Sequence, residues 1–499
     1  MSAFPPLPLG QRIPSSVHGV SCSLPTMRAV IGYEEKDPEI TRHLTSGYPR
    51  FVIHPFCRQL AAHFAAELGL AGHTVWLTAS RRTAEDLAAH LGVALATRID
   101  HDGLHGIAHP ENPELYARAK TYLQHTGGFL SSREAEDHLA RLGLIPSVTA
   151  EELNSGDALA TVRAVLRKAY PTAGDADFIL TNTGMSAFHA AWRTLSDLQA
   201  TRGRTIWIQV GWLYLDTIAI VKKFAPTPQD YVYLPDVQNL DALTRLFAER
   251  GDRIAGIVTE APTNPLVQTS DLAAMADLAR RHGARVILDP TLVSPFNVNV
   301  LPHCDLVVNS LTKYAASEGD VIAGVIVVNP AGPDAAHLRT HCTLRAESIY
   351  RRDLARLAAQ VGDFESVIAK TNATTPKVVT FLENHPRVRE VFWSLHPASR
   401  ANYLKIARSP AHVGAMVTFT LRMPLDRFYD RLRIPKGPSF GMKSSIICPF
   451  IFLAHYDLVT SESGRAELAA SGLNPELLRL SIGCEAPEDI IAALAEALS

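Results

Sequence analysis

From residue 177 onward the chain alternates short, apolar, β-branched runs with amphipathic stretches, and this alternation restricts the fold more than any other feature. The runs cover residues 178–180, 205–210, 231–234, 254–258, 286–288, 306–308 and 321–328. Helical patterns at 186–200, 241–250 and 270–281 lie between several of them. Runs this short read as strands buried on both faces. Strands alternating with helices imply an α/β fold with a mainly parallel sheet covered on both sides.

Open sheets of this kind collect ligands at the carboxyl ends of their strands. Lys313 stands just past one run, in Cys304-Asp-Leu-Val-Val-Asn-Ser-Leu-Thr-Lys313-Tyr314, with the hydroxyls of Ser310 and Thr312 beside it. Such a lysine is ordinarily a solvated surface residue. Partly desolvated beside a cofactor, its amine can bond a carbonyl and move protons. Asp289 closes another run as Val286-Ile-Leu-Asp289-Pro-Thr. It reads as a turn former, since Asp-Pro starts turns, or as a carboxylate set against a ring nitrogen. Thr183-Gly184-Met185-Ser186 joins a strand to a helix. The amides of such a helix start form a ready anion site, and glycine lets a phosphate approach the backbone. Asn264, in Glu260-Ala-Pro-Thr-Asn264-Pro265, is a proline-fixed loop residue or an amide donor to a cofactor's ring oxygen. An amine, an acid and phosphate donors at strand ends suit pyridoxal 5′-phosphate (PLP). No GxxxxGK[ST] occurs, which disfavours a nucleoside triphosphate.

In this order the elements resemble the Cys/Met-metabolism (trans-sulfuration) family of PLP enzymes, which includes cystathionine γ-synthase. Ser310-Leu-Thr-Lys313-Tyr314 is similar to the family's Ser-x-Thr-Lys-Tyr, which implies that Lys313 links to the cofactor and that Ser310 and Thr312 bind its phosphate. Glu260 to Pro265 matches Glu-x-Pro-x-Asn-Pro, and Gly184-Met185 matches the phosphate-holding Ser-Gly-Met loop. Tyr214-Leu-Asp-Thr217 stands where the family has Tyr-Gly-Gly-Thr. This implies that Tyr214 stacks on the pyridine ring and joins Lys313 as a catalytic residue. Tyr48-Pro-Arg50 matches a Tyr-x-Arg that reaches a neighbouring subunit's phosphate site, implying a homodimer or homotetramer with shared active sites. Leu478-Arg-Leu-Ser-Ile-Gly-Cys-Glu485 is similar to Val-Arg-Leu-Ser-Val-Gly-x-Glu, so Arg479 is expected to clamp the substrate α-carboxylate in a bidentate fork. Ser439-Phe-Gly-Met-Lys-Ser-Ser445 resembles a divergent Ser-Leu-Gly-Gly-x-Glu-Ser, with Ser445 near the substrate.

The resemblance implies a PLP-transferase type I (aspartate aminotransferase-like) large domain and a smaller α+β domain. The implied activity is at Cγ of an amino-acid substrate. One reading is γ-replacement on an O-acylhomoserine, with cysteine or another nucleophile. The alternative is a γ- or β-eliminating lyase on an ordinary or unusual amino acid of specialised metabolism. A non-catalytic relative is disfavoured because Lys313 and Asp289 are both present. Three departures bear on specificity. Residues 51–170 form an extra region between Tyr48-Pro-Arg50 and Gly184. Met442 and Ser444 replace a Gly and a Glu, which is expected to alter the side-chain pocket. Asp289-Pro-Thr replaces Asp-Asn-Thr, and Leu215-Asp216 replace two glycines.

The expected organisation is an N-terminal arm at 1–50, the extra helical and mixed region at 51–170, a PLP-binding large domain at 171–346, a connecting helix at 347–382 and a small domain at 383–499. Within the extra region, 56–68 and 82–91 read as helices and 74–78 as a strand, while 101–135 has no clear pattern. A metal role for His101, His105 and His109 is set aside because their spacing falls in a polar, glycine-containing loop. A formal net charge of −2 and no basic stripe argue against nucleic acid. Six cysteines without CxxC spacing read as reduced thiols. With no basic-then-apolar leader and no apolar span, the expected location is cytoplasmic, away from membranes.

Overall fold

Seven strands build the central sheet of the computed structural model, which describes residues 4–49, 52–92, 94 and 96–499. From edge to edge they are Phe178–Thr181, Gly324–Val328, Leu306–Ser310, Arg285–Asp289, Ile254–Glu260, Ile206–Val210 and Tyr231–Leu234. Gly324–Val328 is antiparallel to both neighbours, and the remaining pairings are parallel. Six strands therefore point their carboxyl ends to one edge. The inner strands are apolar throughout because both faces are covered; Leu306, Val307, Ile287 and Ile257 are all buried. Each such side chain contributes about 1.5–3 kcal/mol by leaving water. The helix Gly184–Ala200 packs across the Leu306–Ser310 and Gly324–Val328 strands and buries Ala187, Ala191 and Leu195.

Beyond this sheet come the helices Arg351–Gln360 and Phe364–Glu383. A four-stranded antiparallel sheet follows, in the order Val388–Phe392, Met416–Leu421, Leu478–Ser481 and Ile446–Pro449. The last helix, Pro487–Leu498, packs against Phe364–Glu383. Among the described residues no helix is long and apolar enough to cross a membrane.

The extra region is built on a three-stranded antiparallel sheet, with Leu104–Pro110 between His73–Thr78 and Thr97–His101. Successive strand side chains face opposite ways, so Trp76 and Leu77 enter different cores. Trp76 packs with Ile107 of the neighbouring strand and with Leu87 and Leu123 from the helices Arg81–Leu91 and Pro113–Thr126. Leu77 packs with Leu60, Phe64 and Leu139 from the helices Pro55–Glu67 and Ser132–Arg141. The stretch without a clear pattern in the sequence thus holds a hairpin. Its two-residue turn is Asp102-Gly103, both with positive φ (50° and 80°). Asp-Gly is a strong two-residue hairpin signal.

Buried charges fix this region against the rest of the chain. Arg133 is 1% exposed and bonds Asp353 Oδ1 at 2.9 Å, the Asp320 carbonyl at 2.8 Å and Glu151 Oε2 at 2.8 Å. Arg352 reaches Glu136 and Asp137, both at 2.7 Å. Burial alone would raise the Glu136 carboxyl. Bonds from His18 and Thr149 override it and hold the group at about 2. Such buried pairs add little net stability, but any misplacement leaves a charge unpaired, so they specify one docking position.

Candidate active site

The parallel strand ends converge on one cavity of about 460 Å³, lined by Gly184, Tyr214, Asn264, Asp289, Ser310, Lys313 and Arg479 among others. At the first strand end, Thr183 caps the helix Gly184–Ala200 by accepting from Ser186 N at 2.9 Å. The amides of Gly184 and Met185, which belong to the first turn, are left for an acceptor outside the helix. A Cβ on Gly184 would lie 3.2 Å from Ser310 Cβ and 3.3 Å from its hydroxyl oxygen. The missing side chain therefore leaves a cradle between a helix start and a hydroxyl, which is the donor set a phosphate needs.

Asp289 and Glu260 are partners in register at the ends of adjacent parallel strands. Burial raises both carboxyls above their ordinary range, and the Asp289 charge raises Glu260 further. Glu260 accepts from Tyr214 N at 2.6 Å and Asn264 N at 3.0 Å, which holds the two loops in place. Asp289 accepts from Thr291 N at 2.8 Å and is partly open to the cavity. A cationic ring nitrogen there would offset the cost of ionising Asp289. Together with the Gly184 cradle and the Lys313 amine, this carboxylate fits PLP.

Lys313 Nζ donates to Tyr48 Oη and lies 3.4 Å from Ser439 Oγ; Tyr48 Oη and Ser439 Oγ are 2.7 Å apart. The ammonium sits 4.5 Å from the Tyr48 ring centroid and 4.8 Å from that of Phe440. Arg479 donates to Asn264 Oδ1 at 3.2 Å and to the Ser439 carbonyl at 3.3 Å, between the Phe440 and Phe450 rings. Ser439 has φ +128°, a strained conformation for a residue with a side chain. Gly441 (φ +74°) lets the same loop press on Lys313, since a Cβ there would lie 3.0 Å from Lys313 Cβ.

The sequence-expected residues do not all meet here. Ser445 is buried elsewhere. Its hydroxyl donates to Glu485 Oε2 and accepts from Gly483 N, each at 2.8 Å, and it does not line the cavity. Ser439, six residues earlier in the same motif, takes the place beside Lys313. The motif reading failed because the loop turns back at Gly441. Met442 and Ser444 also lie outside the lining; Met442 packs on Ile13 and Ile446, so its departure from the family pattern does not reshape the pocket. Thr312 reaches the lining, but its hydroxyl donates to Ala323 O at 3.2 Å and accepts from Ala323 N at 3.0 Å, which leaves Ser310 as the better placed phosphate donor. Tyr48 lines the cavity beside Lys313. Arg50 lies outside the described residues.

The histidines set aside in the sequence are strand residues, not loop residues. His109 accepts from Trp76 Nε1 at 3.0 Å and donates to Pro110 O at 2.8 Å, and His105 pairs with Asp100 at 3.3 Å. Among the described residues no cluster of three metal-ligating side chains forms.

The extra region contributes Ile53, Trp76, Leu77, Phe129 and Leu130 to the cavity lining, together with Arg58, Gln124 and Arg133. It touches the phosphate cradle directly. Gly127, the C-cap of Pro113–Thr126, bonds Asn182 Nδ2 through its carbonyl at 2.8 Å. Asp216, fully buried, accepts from Gln124 Nε2 at 2.5 Å and lies 4.0 Å from His125. The Leu215-Asp216 departure and the extra region are therefore one feature: the acid sits where the added helix supplies a donor.

Fold and site together define a PLP-dependent enzyme of the fold type I α/β class. A family model described as Cys/Met metabolism PLP-dependent enzyme matches residues 161–499, and the chain belongs to that family. It is 41% identical over 486 residues to an L-2-amino-4-chloropent-4-enoate dechlorinase/desaturase of Streptantibioticus cattleyicolor, covering 97% of both chains. It is 26% identical over 619 residues to a cystathionine gamma-synthase of Neurospora crassa, covering 99% of this chain and 98% of that one. Among solved structures, cystathionine gamma synthase of Xanthomonas oryzae pv. oryzae superposes with a TM-score of 0.59 at 22% identity, covering 73% of this chain and 96% of that one. The protein is accordingly a cystathionine γ-synthase-like enzyme of the γ-replacement or γ-lyase type, with PLP as its cofactor.

Proposed function

We propose that the enzyme removes a leaving group from Cγ of a short, apolar α-amino acid without a second substrate, which makes it a lyase of this family. The observation that carries this reading is the apolar cover. The extra region lines the cavity with Ile53, Trp76, Leu77, Phe129 and Leu130, beside Arg58, Gln124 and Arg133, so its contribution is mainly apolar. An incoming cysteine would bring a second carboxylate and ammonium into that apolar space, at a desolvation cost of several kcal/mol. A vinylic or haloalkyl side chain carries no such cost. The relative that is 41% identical over nearly its whole length is named for a substrate with chlorine on carbon 4, which is Cγ.

In this reading Gly184, Met185 and Ser310 hold the cofactor phosphate. Asp289 would hold the ring nitrogen, Asn264 the ring hydroxyl, and Tyr214 would pack on the ring. PLP supplies the electron sink for charge developing at Cα. Arg479 receives the substrate carboxylate and so fixes which Cα bond is broken. Lys313, as a free amine, takes the Cα proton; a second proton must then leave Cβ, and that loss supplies the electrons with which the Cγ group departs. Tyr48 and Ser439 hold that amine in position and give its proton a path toward the leaving group.

Two outcomes separate the readings. Purified enzyme with PLP is expected to release chloride from 2-amino-4-chloropent-4-enoate with no thiol added. Cystathionine formed from an O-acylhomoserine only when cysteine is present, with no chloride release, would establish γ-replacement instead. Arg479→Lys is expected to raise KM about 10- to 100-fold, or ~1.4–2.7 kcal/mol, with a smaller change in kcat, because a lysine cannot make the planar fork. Steady-state kinetics on the same substrate check this.

A further inference from the structure

We infer that Trp76 sets the upper size limit for the substrate side chain, and that His109 is the positioning residue that keeps its indole in place. This rests on the proposed preference for a short apolar substrate and assigns the limit to one side chain of the extra region.

The groups named for the cofactor and the substrate carboxylate come from the part of the chain that the family model matches: Gly184, Asp289, Ser310, Lys313 and Arg479. They fix a substrate at its α-carbon, and the length of its side chain is left to the surrounding wall. The extra region adds to that wall, and Trp76 is the largest side chain it places in the lining.

The indole has little room to retreat. It is 5% exposed, and the side chains of Leu87, Ile107 and Leu123 packed with it are fully buried. The rings of Tyr116 and Phe129, which also line the cavity, lie 4.9 Å and 6.3 Å from it, centroid to centroid. Trp76 and Ile107 are partners in register on adjacent strands, so the ladder holds the backbone. A wall packed this closely takes no added methylene without strain.

His109 fixes the direction of the ring. It lies two residues beyond Ile107 on the same strand, fully buried and outside the cavity lining. Its Nδ1–H donates to Pro110 O at 2.8 Å, which leaves Nε2 to accept from the indole N–H at 3.0 Å. An indole that swung aside for a longer substrate would leave that N–H and the buried His109 nitrogen both unpaired, and orphaned buried groups are costly. The bond turns a movable aromatic into a fixed wall. Because His109 does not line the cavity, its effect on selectivity must pass through Trp76.

Equilibrium binding tests this, with linear amino acids that carry no leaving group. Holoenzyme is titrated with 2-aminobutanoate, norvaline, norleucine and 2-aminoheptanoate, and Kd is read from the change in PLP absorbance. In the wild type, affinity is expected to fall about tenfold or more at the first methylene that meets the indole. Trp76→Ala is expected to bind the longest members about tenfold or more tighter than wild type, and 2-aminobutanoate about equally. Trp76→Phe covers the case in which Trp76→Ala does not fold, and should move the limit the same way by a smaller step. His109→Phe should reproduce the Trp76→Phe profile and add nothing in the Trp76→Phe background. His109→Gln, whose amide oxygen can accept from the indole, should restore the wild-type limit. A length profile identical in wild type, Trp76→Phe and Trp76→Ala would overturn the assignment to Trp76. His109 variants that weaken every ligand by the same factor would overturn the positioning role. These ligands release nothing, so the outcome is independent of the chloride assay: absence of chloride release would sink the lyase reading alone, and a wild type without a length limit would sink this inference alone.

Discussion

Lys313→Ala is expected to lower turnover by roughly four orders of magnitude, about 5.5 kcal/mol of transition-state stabilisation, while the fold is retained. The side chain is only partly buried, beside the Tyr48 and Ser439 hydroxyls and the Phe440 ring, so truncation removes little packing, although Asp289 loses a nearby positive charge. Two functions are lost together: the covalent hold on the cofactor and the base at Cα. Added methylamine should restore part of the proton transfer without restoring the hold. The check is mass spectrometry after borohydride reduction, which should find the cofactor adduct at position 313 in the wild type and none in the variant. An adduct at another lysine would remove the basis of the site assignment.

Gly127→Ala is expected to damage cofactor binding from outside the cofactor-binding sheet. Gly127 has φ +69°, and a Cβ there would strike the Thr183 hydroxyl and lie 2.7 Å from Ser186 N. Those two atoms form the cap of the helix that begins at Gly184. The left-handed backbone costs an alanine about 1–2 kcal/mol, and the contact adds displacement of the phosphate cradle. PLP affinity should fall tenfold or more, measured by titrating apoenzyme. Gly143→Ala is the control. It has the same left-handed backbone (φ +70°) but nothing within 4 Å, so it should lose stability and keep PLP affinity. Equal PLP affinity in the two variants would mean that the extra region does not support the cradle.

The central sheet was legible because its strands are buried on both faces, so composition alone marks them: the run at 306–308 lies within Leu306–Ser310, and that at 286–288 within Arg285–Asp289. Strand order was not legible, since it depends on non-local pairing. Lys313, Asp289 and Gly184 could be named because each follows or ends an element whose position the pattern gives, whereas Arg479, inside the strand Leu478–Ser481, was named from the resemblance alone. Ser439 was missed in favour of Ser445 because a loop carries no periodicity, and a positive φ at a serine leaves no mark in sequence. The hairpin at Asp102-Gly103 had a signal, but its first strand is polar and mostly exposed and its second buries His109 among apolar residues, which masked the alternation. Asp216 looked like a lost glycine, and its meaning came only with its partner Gln124, 92 positions away.

That pairing bears on any attempt to trim the chain to the length of ordinary relatives. Excising the added segment would remove Gln124, whose amide donates to the buried Asp216 carboxylate at 2.5 Å. Position 216 and the added segment are therefore energetically coupled, and the effects of changing them are not expected to add.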